Sequence, residues 1–162
     1  MRKPVLTLLA GLLTACAYTP PQEPFRVGDV FRVEGTTGAG QGVSQRFTLS
    51  GEGRLRGDRW EYDADGATAR SALLLARVDG ALVGVIDAAQ AYRSGADGTI
   101  TACFVAPEPG WKSAEGLLVR EPTAVMLELA GGLSGSGAVT TLPALRTLVG
   151  EARSDSCTLT RD

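Results

Sequence analysis

LLLARVDGALVGVID, residues 73–87, sets an Asp-Gly pair, Asp79-Gly80, between two apolar runs. A two-residue turn at Asp79-Gly80 folds the stretch back on itself and pairs Val78 with Ala81, Ala76 with Val83 and Leu74 with Val85. That face is wholly apolar. The opposite face pairs Arg77 with Leu82, Leu75 with Gly84 and Leu73 with Ile86, and is largely apolar too. A sheet with one wet face alternates apolar and polar residues. A hairpin apolar on both faces is therefore covered on both. The stretch predicts a β-hairpin whose outer side, carried by Leu73, Leu75 and Leu82, meets either a partner chain or the helix expected near the C-terminus.

Period-two alternation continues on both sides of the hairpin. In FRVE, Phe31 and Val33 face one way and Arg32 and Glu34 the other. From Ser44 to Arg56 the odd positions hold Phe47, Leu49, Gly51, Gly53 and Leu55, the pattern of one long half-buried strand that two glycines allow to bend. Gly57-Asp58 reads as a turn, and Arg59–Asp63 returns with Trp60 and Tyr62 inward. TITACFVA (99–106) and TAVMLEL (123–129) read as further strands, the second opened by Pro122, and GGLSGSG (131–137) as a loop. In TTLPALRTLVGEA, Leu142, Leu145, Leu148 and Val149 recur at helical spacing, with Pro143 early and Gly150 near the end. Asp-Gly pairs at 65–66, 79–80 and 97–98 supply turns. The fold class is all-β: an antiparallel barrel or a two-sheet sandwich of about seven or eight strands, with one short helix near the C-terminus.

The chain begins with a basic MRKP, then an apolar stretch from Val5 to Leu13 broken only by Thr7 and Gly11. As a helix those residues cover about 14 Å, against roughly 30 Å of bilayer hydrocarbon. They are too short to span a membrane and have the layout of a secretory signal. The next residues, Leu13-Thr14-Ala15-Cys16, resemble the lipobox of bacterial lipoproteins. The resemblance implies diacylglyceryl transfer to the Cys16 sulfur, cleavage after Ala15 and acylation of the new amine. It places the protein in the cell envelope, lipid-anchored. With alanine rather than aspartate at position 17, it implies the periplasmic face of the outer membrane where there are two membranes, and otherwise the outer face of the cell membrane. Residues 1–15 are then a signal peptide, 16–24 a proline-rich stalk and 25–162 a single β domain. A leader of this layout also suits an ordinary secreted protein.

Loss of residues 1–15 leaves 147, enough for one domain that buries about two-thirds of its extended-chain surface. It also removes Arg2 and Lys3, taking the net charge from −2 to −4. Such a chain suits neither nucleic acid nor a polybasic membrane contact. Outside the cytoplasm the two remaining cysteines, Cys103 and Cys157, are expected to form a disulfide tying SCTLTRD to TACFV. Two buried free thiols are the alternative.

No constellation for catalysis emerges. The chain has no histidine and no asparagine, which removes the Ser-His-Asp machinery and the commonest neutral metal ligand. GTTGAGQG (35–42) is glycine-rich but has Gln41 where a phosphate loop needs lysine after its second glycine. Glu61, Asp63 and Asp65 alternate as in the first half of a calcium loop, yet Ala72 stands where the bidentate glutamate belongs. No metal, cofactor or enzymatic activity is expected. Trp60, Tyr62 and Trp111 are the residues best suited to line an apolar pocket. Size and strand content resemble lipocalins, but their Gly-x-Trp signature is replaced by Gly28-Asp29-Val30. The expected function is a lipid-anchored binding or structural module whose partner is an envelope protein. A small apolar-ligand carrier is the second reading, and a carboxylate-dependent hydrolase a third.

Overall fold

The computed structural model describes residues 19–36, 40, 42–66, 72–87, 100–121, 141–150 and 154–162. The leader, Cys16, the strand expected over 123–129, the GGLSGSG loop, residues 37–39 and 41 of the 35–42 glycine run and Asp97-Gly98 lie outside them.

In chain order the elements are β1 (Val30–Thr36), β2 (Gly42–Leu49), β3 (Arg54–Arg56), β4 (Arg59–Gly66), β5 (Ala72–Arg77), β6 (Val83–Asp87), β7 (Ile100–Val105), β8 (Ser113–Glu121), helix α1 (Leu142–Val149) and β9 (Ser154–Arg161). Every pairing is antiparallel, mostly between successive strands. β9 then returns to pair with β1, from Phe31 opposite Arg161 to Thr36 opposite Ser156. The sheet thus closes into an eight-stranded up-and-down barrel, with β3 a spur on β4. Closure removes the sheet edges that a sandwich would leave open.

The 73–87 hairpin has the register its sequence implies, Leu74 opposite Val85 and Ala76 opposite Val83. Its turn is longer than two residues. Among the described residues only glycines have positive φ, so Asp79 cannot occupy the left-handed position that a tight Asp-Gly turn requires. The ladder ends where the Arg77 N–H donates to the Leu82 carbonyl (3.0 Å), and Val78–Ala81 form the loop, with Gly80 at φ 70°.

The expected strand 44–56 is broken. Leu49 lies opposite Ala64, but Arg54 lies opposite Glu61, so five steps on one strand answer three on the other. The extra residues around Gly51 and Gly53 let the chain flare away from the barrel. Leu55 therefore sits exposed on the spur instead of inside. Gly53 faces the Tyr62 ring, while Gly51 lies beside the outward-facing Asp63.

β8 is the strand that sequence reading missed. It runs through SAEGLLVRE and supplies Ala114 and Leu118 to the interior and Leu117 and Val119 to the exterior. β8 separates β7 from β9, yet the sulfurs of Cys103 and Cys157 lie at disulfide distance, with the two Cα atoms 6.0 Å apart. The C-terminal strand is thus tied to TACFV across β8. Glycines flank Cys157 on both sides: Gly35 on β1 and Gly116 on β8 are its register partners.

Two apolar clusters result. Phe31, Val33, Phe47, Leu49, Tyr62, Leu74, Val85, Cys103, Val105, Leu118 and Leu159 fill the barrel. An eight-stranded barrel is just wide enough for its own side chains. Beside Val33, Phe47 and Asp87 the interior keeps a void of about 10 Å³, on the order of one water. The second cluster lies outside. Leu75, Leu82, Ile86, Phe104, Leu117 and Val119 pack against Leu145 and Val149 of α1. The helix starts at Thr141, whose Oγ1 accepts the Ala144 N–H (3.3 Å), has Pro143 in its first turn and ends at Gly150, φ 75°. The outer face of the hairpin is therefore covered by the end helix of the same chain.

Candidate functional site

At one end of the barrel lie Val30 of β1, Leu49 of β2, Arg59 of β4, Arg77 of β5, Val83 of β6, Val105 of β7, Ser113 of β8 and Arg161 of β9. We call this end the base. The chain enters here: residues 19–24 have no regular structure and deliver Phe25 into the barrel mouth.

Phe25 is buried and stacks edge-on against Phe31, with ring centroids 5.1 Å apart, and lies 5.7 Å from the Tyr62 ring. Its N–H donates to the Tyr62 hydroxyl (3.4 Å), and the Arg161 guanidinium sits 5.2 Å over its ring. Asp29 holds that guanidinium by an ion pair of 2.8 Å. Upstream, Glu23 accepts the Gly53 N–H at 2.8 Å. Glu23 and Phe25 thus plug the barrel and stitch it to the β2–β3 bend.

Beside the plug opens a cleft of about 590 Å³, walled by Phe25, Val78, Val83, Pro107, Trp111 and Arg161. Trp111 is half-buried and tilted over Phe31, with ring centroids 6.4 Å apart. On the cleft rim, Asp79 accepts from the Ala81 N–H and from Arg77. Burial alone would raise its pKa, but these partners outweigh it and bring the carboxyl below its ordinary value.

Of the aromatic residues singled out in the sequence, Trp111 reaches this cleft. Tyr62 is fully buried beneath Phe25, and Trp60 is half-buried against the interior cluster. Leu75 and Leu82 lie under α1, and Leu73 is packed at the edge of the same cluster. Phe25, Arg161 and Asp29 drew no attention in the sequence. Phe25 follows Pro24 without strand periodicity, and its partners are distant in sequence.

The acidic run of β4 does not converge on one point. Glu61 pairs with Arg59 (2.7 Å), while Asp63 meets Arg54 through two hydrogen bonds of 2.6 and 2.9 Å. The Arg54 hydrogen bond holds the Asp63 carboxyl below the usual carboxylate range. A second depression, of about 990 Å³, lies outside the barrel between α1 and strands β1, β8 and β9. Its two carboxylates, Glu34 and Glu115, flank Thr158 in register, and both are exposed.

Burial pushes the Tyr62 phenol above its ordinary value. In the unfolded chain it ionises near pH 10. The stabilisation from keeping it neutral is complete below that pH and is lost as the pH rises past it. Tyr62→Phe should cost about 0.5–1.5 kcal/mol at neutral pH, through the lost hydrogen bond to Phe25. From about pH 9 to about pH 11 it should lose less stability than the parent protein. Urea midpoints at the two pH values check this; parallel losses would contradict it.

Comparison with known proteins adds no relative from which a role could be carried over: no protein-family model matches the chain, and no curated protein or solved structure matches it either.

Proposed function

We propose that this chain is a lipid-anchored protein of the cell envelope, exported, cut after Ala15 and held to a membrane by acyl chains on Cys16. The small barrel then acts as a binding or structural module just above the bilayer. One observation carries the reading: Leu13-Thr14-Ala15-Cys16 closes a short apolar leader behind a basic start. Two more support it. Cys103 and Cys157 are joined, which leaves Cys16 as the third and remaining cysteine. Residues 19–24 lead into the base of the barrel without secondary structure, as a stalk would. The described residues contain no helix long and apolar enough to cross a membrane, and two or three acyl chains suffice for stable anchoring. Where the envelope has two membranes, alanine at position 17 favours the outer one.

An apolar-ligand carrier is the weaker reading, because the described interior is filled and the room lies outside it, in the basal cleft and in the depression beside α1. Cys16→Ser should shift the protein from the membrane to the soluble fraction and abolish incorporation of a labelled fatty acid. A variant that still sediments with membranes and takes up label would overturn the anchor.

A further inference from the structure

We propose that the base of the barrel rests on the lipid surface, inserting Val27, Leu55 and Val78 into the bilayer interface. The inference rests on the proposed anchor at Cys16 and adds an orientation and a contact to it. Among the described residues four large apolar side chains are exposed, and three share this end: Val27 (55%), Leu55 (37%) and Val78 (40%). Each stands at a projecting point. Val27 lies in the turn that follows the Phe25 plug, Leu55 on the β3 spur, and Val78 in the β5–β6 loop, where its N–H is tied to the Asp58 carbonyl at 2.9 Å. Leu55 keeps the face of its register partner Trp60 but is exposed because β3, beyond the break at Ser50–Gly53, pairs with β4 alone and leaves the barrel wall.

The tether leaves from the same end. Glu23 is held to Gly53, so the free tether is residues 16–22, which in extended, proline-rich form reach about 22 Å at most. The described strands are at most nine residues long, so at about 3.3 Å per residue and a barrel tilt of about 35–45° the barrel is of similar height. The far end can meet the membrane only if the stalk is stretched along the whole barrel. The base can do so with the stalk slack.

Charge at the base favours a neutral contact. Arg161 is paired with Asp29 (2.8 Å), Arg77 with Asp58 (2.9 Å) and Asp79 (3.2 Å), and Arg32 with Asp162 (3.2 Å). Ions already paired lose less on leaving water than single ones. The exposed cations Arg26, Arg56 and Lys112 are interspersed with the exposed acids Glu23, Glu52 and Glu108, so the described residues of the base form no net basic patch that calls for anionic lipid. Three half-exposed side chains are too few to hold a free domain on a bilayer. A short tether makes the contact intramolecular, so weak affinity is enough.

The test couples the mature chain, through the Cys16 thiol, to a maleimide lipid in phosphatidylcholine nanodiscs carrying a gadolinium-chelating lipid. Amide broadening at Val27, Gly28, Asp58, Asp79 and Gly80 should exceed that at Thr36, Gly66 and Asp155, at the far end, by about threefold or more, because the tether holds the docked face at the lipid. The triple variant Val27→Ser, Leu55→Ser, Val78→Ser should lose that contrast while keeping the barrel spectrum. Replacing part of the phosphatidylcholine by an anionic lipid should change nothing. The proposal is overturned if the triple variant keeps the contrast, if both ends broaden alike in the parent, or if the contrast needs anionic lipid. Because the tether is supplied chemically, such a failure leaves the anchor untouched. The anchor fails on its own terms, in the fractionation of Cys16→Ser.

Discussion

Alanine in place of Gly116 should strip the barrel of a large part of its stability. Gly116 lies on β8 between Val105 of β7 and Cys157 of β9. A Cβ built there would collide with the Phe104 carbonyl oxygen and come within 2.8 Å of Val105 Cγ1. The obstacle is backbone, so no rotamer change relieves it; β7 and β8 must part. Overpacking in a tight core typically costs about 1–3 kcal/mol, and moving a strand pair next to the Cys103–Cys157 link should cost at least about 3 kcal/mol, a large share of a domain's usual margin. Gly42→Ala is the control, since a Cβ there meets nothing within 4 Å; its cost should stay below about 1 kcal/mol. Urea unfolding followed by circular dichroism separates the two. Equal midpoints would mean that β7 and β8 do not approach so closely at Gly116.

Reducing the link between Cys103 and Cys157, or replacing both cysteines with alanine, should cost about 4 kcal/mol. The sequence separation is 54 residues, and the chain-entropy relation for a loop of that length gives roughly that figure. The closed loop contains β8 and α1, so the free chain gains disorder over the very segment that covers the outer face of the hairpin. Both cysteines are buried. The bridge should therefore resist reductant until the barrel opens, and native protein should give no reaction with a thiol reagent at these two positions. A loss below about 1 kcal/mol on reduction, against the 2–5 usual for removing a native bridge, would contradict this. So would free thiols in the native protein.

How much of this could be read from residues alone varies from element to element. The register and two-sided burial of the 73–87 hairpin were legible, because apolar residues on both faces demand two coverings, and both exist: the barrel interior and α1; the length of its turn was not. The helix was legible from Pro143, Gly150 and the spacing of Leu142, Leu145 and Val149. Barrel closure was not, because the pairing of β9 with β1 joins residues more than a hundred positions apart, and alternation says nothing about which strands are neighbours. β8 was hidden because its GLLV run is apolar on both sides, so it lacks the alternation that marks a half-wet strand. Leu55 was misplaced because two extra residues at Gly51–Gly53 keep its face, opposite Trp60, but carry it onto a spur that pairs with β4 alone, and alternation does not register where a strand leaves the barrel wall. The basal site was the least legible. Phe25, Tyr62, Trp111 and Arg161 meet only because the two chain ends converge there, and no local pattern encodes that.

The whole placement depends on the chemistry of one sulfur. Intact-mass and peptide mass spectrometry of protein extracted with detergent from its native envelope reads that sulfur directly. The expected N-terminal residue is Cys16, its Sγ carrying a diacylglyceryl group. An N-terminus still bearing residues 1–15, or a Cys16 with an unmodified thiol, would contradict the anchor and with it the orientation of the barrel on the bilayer.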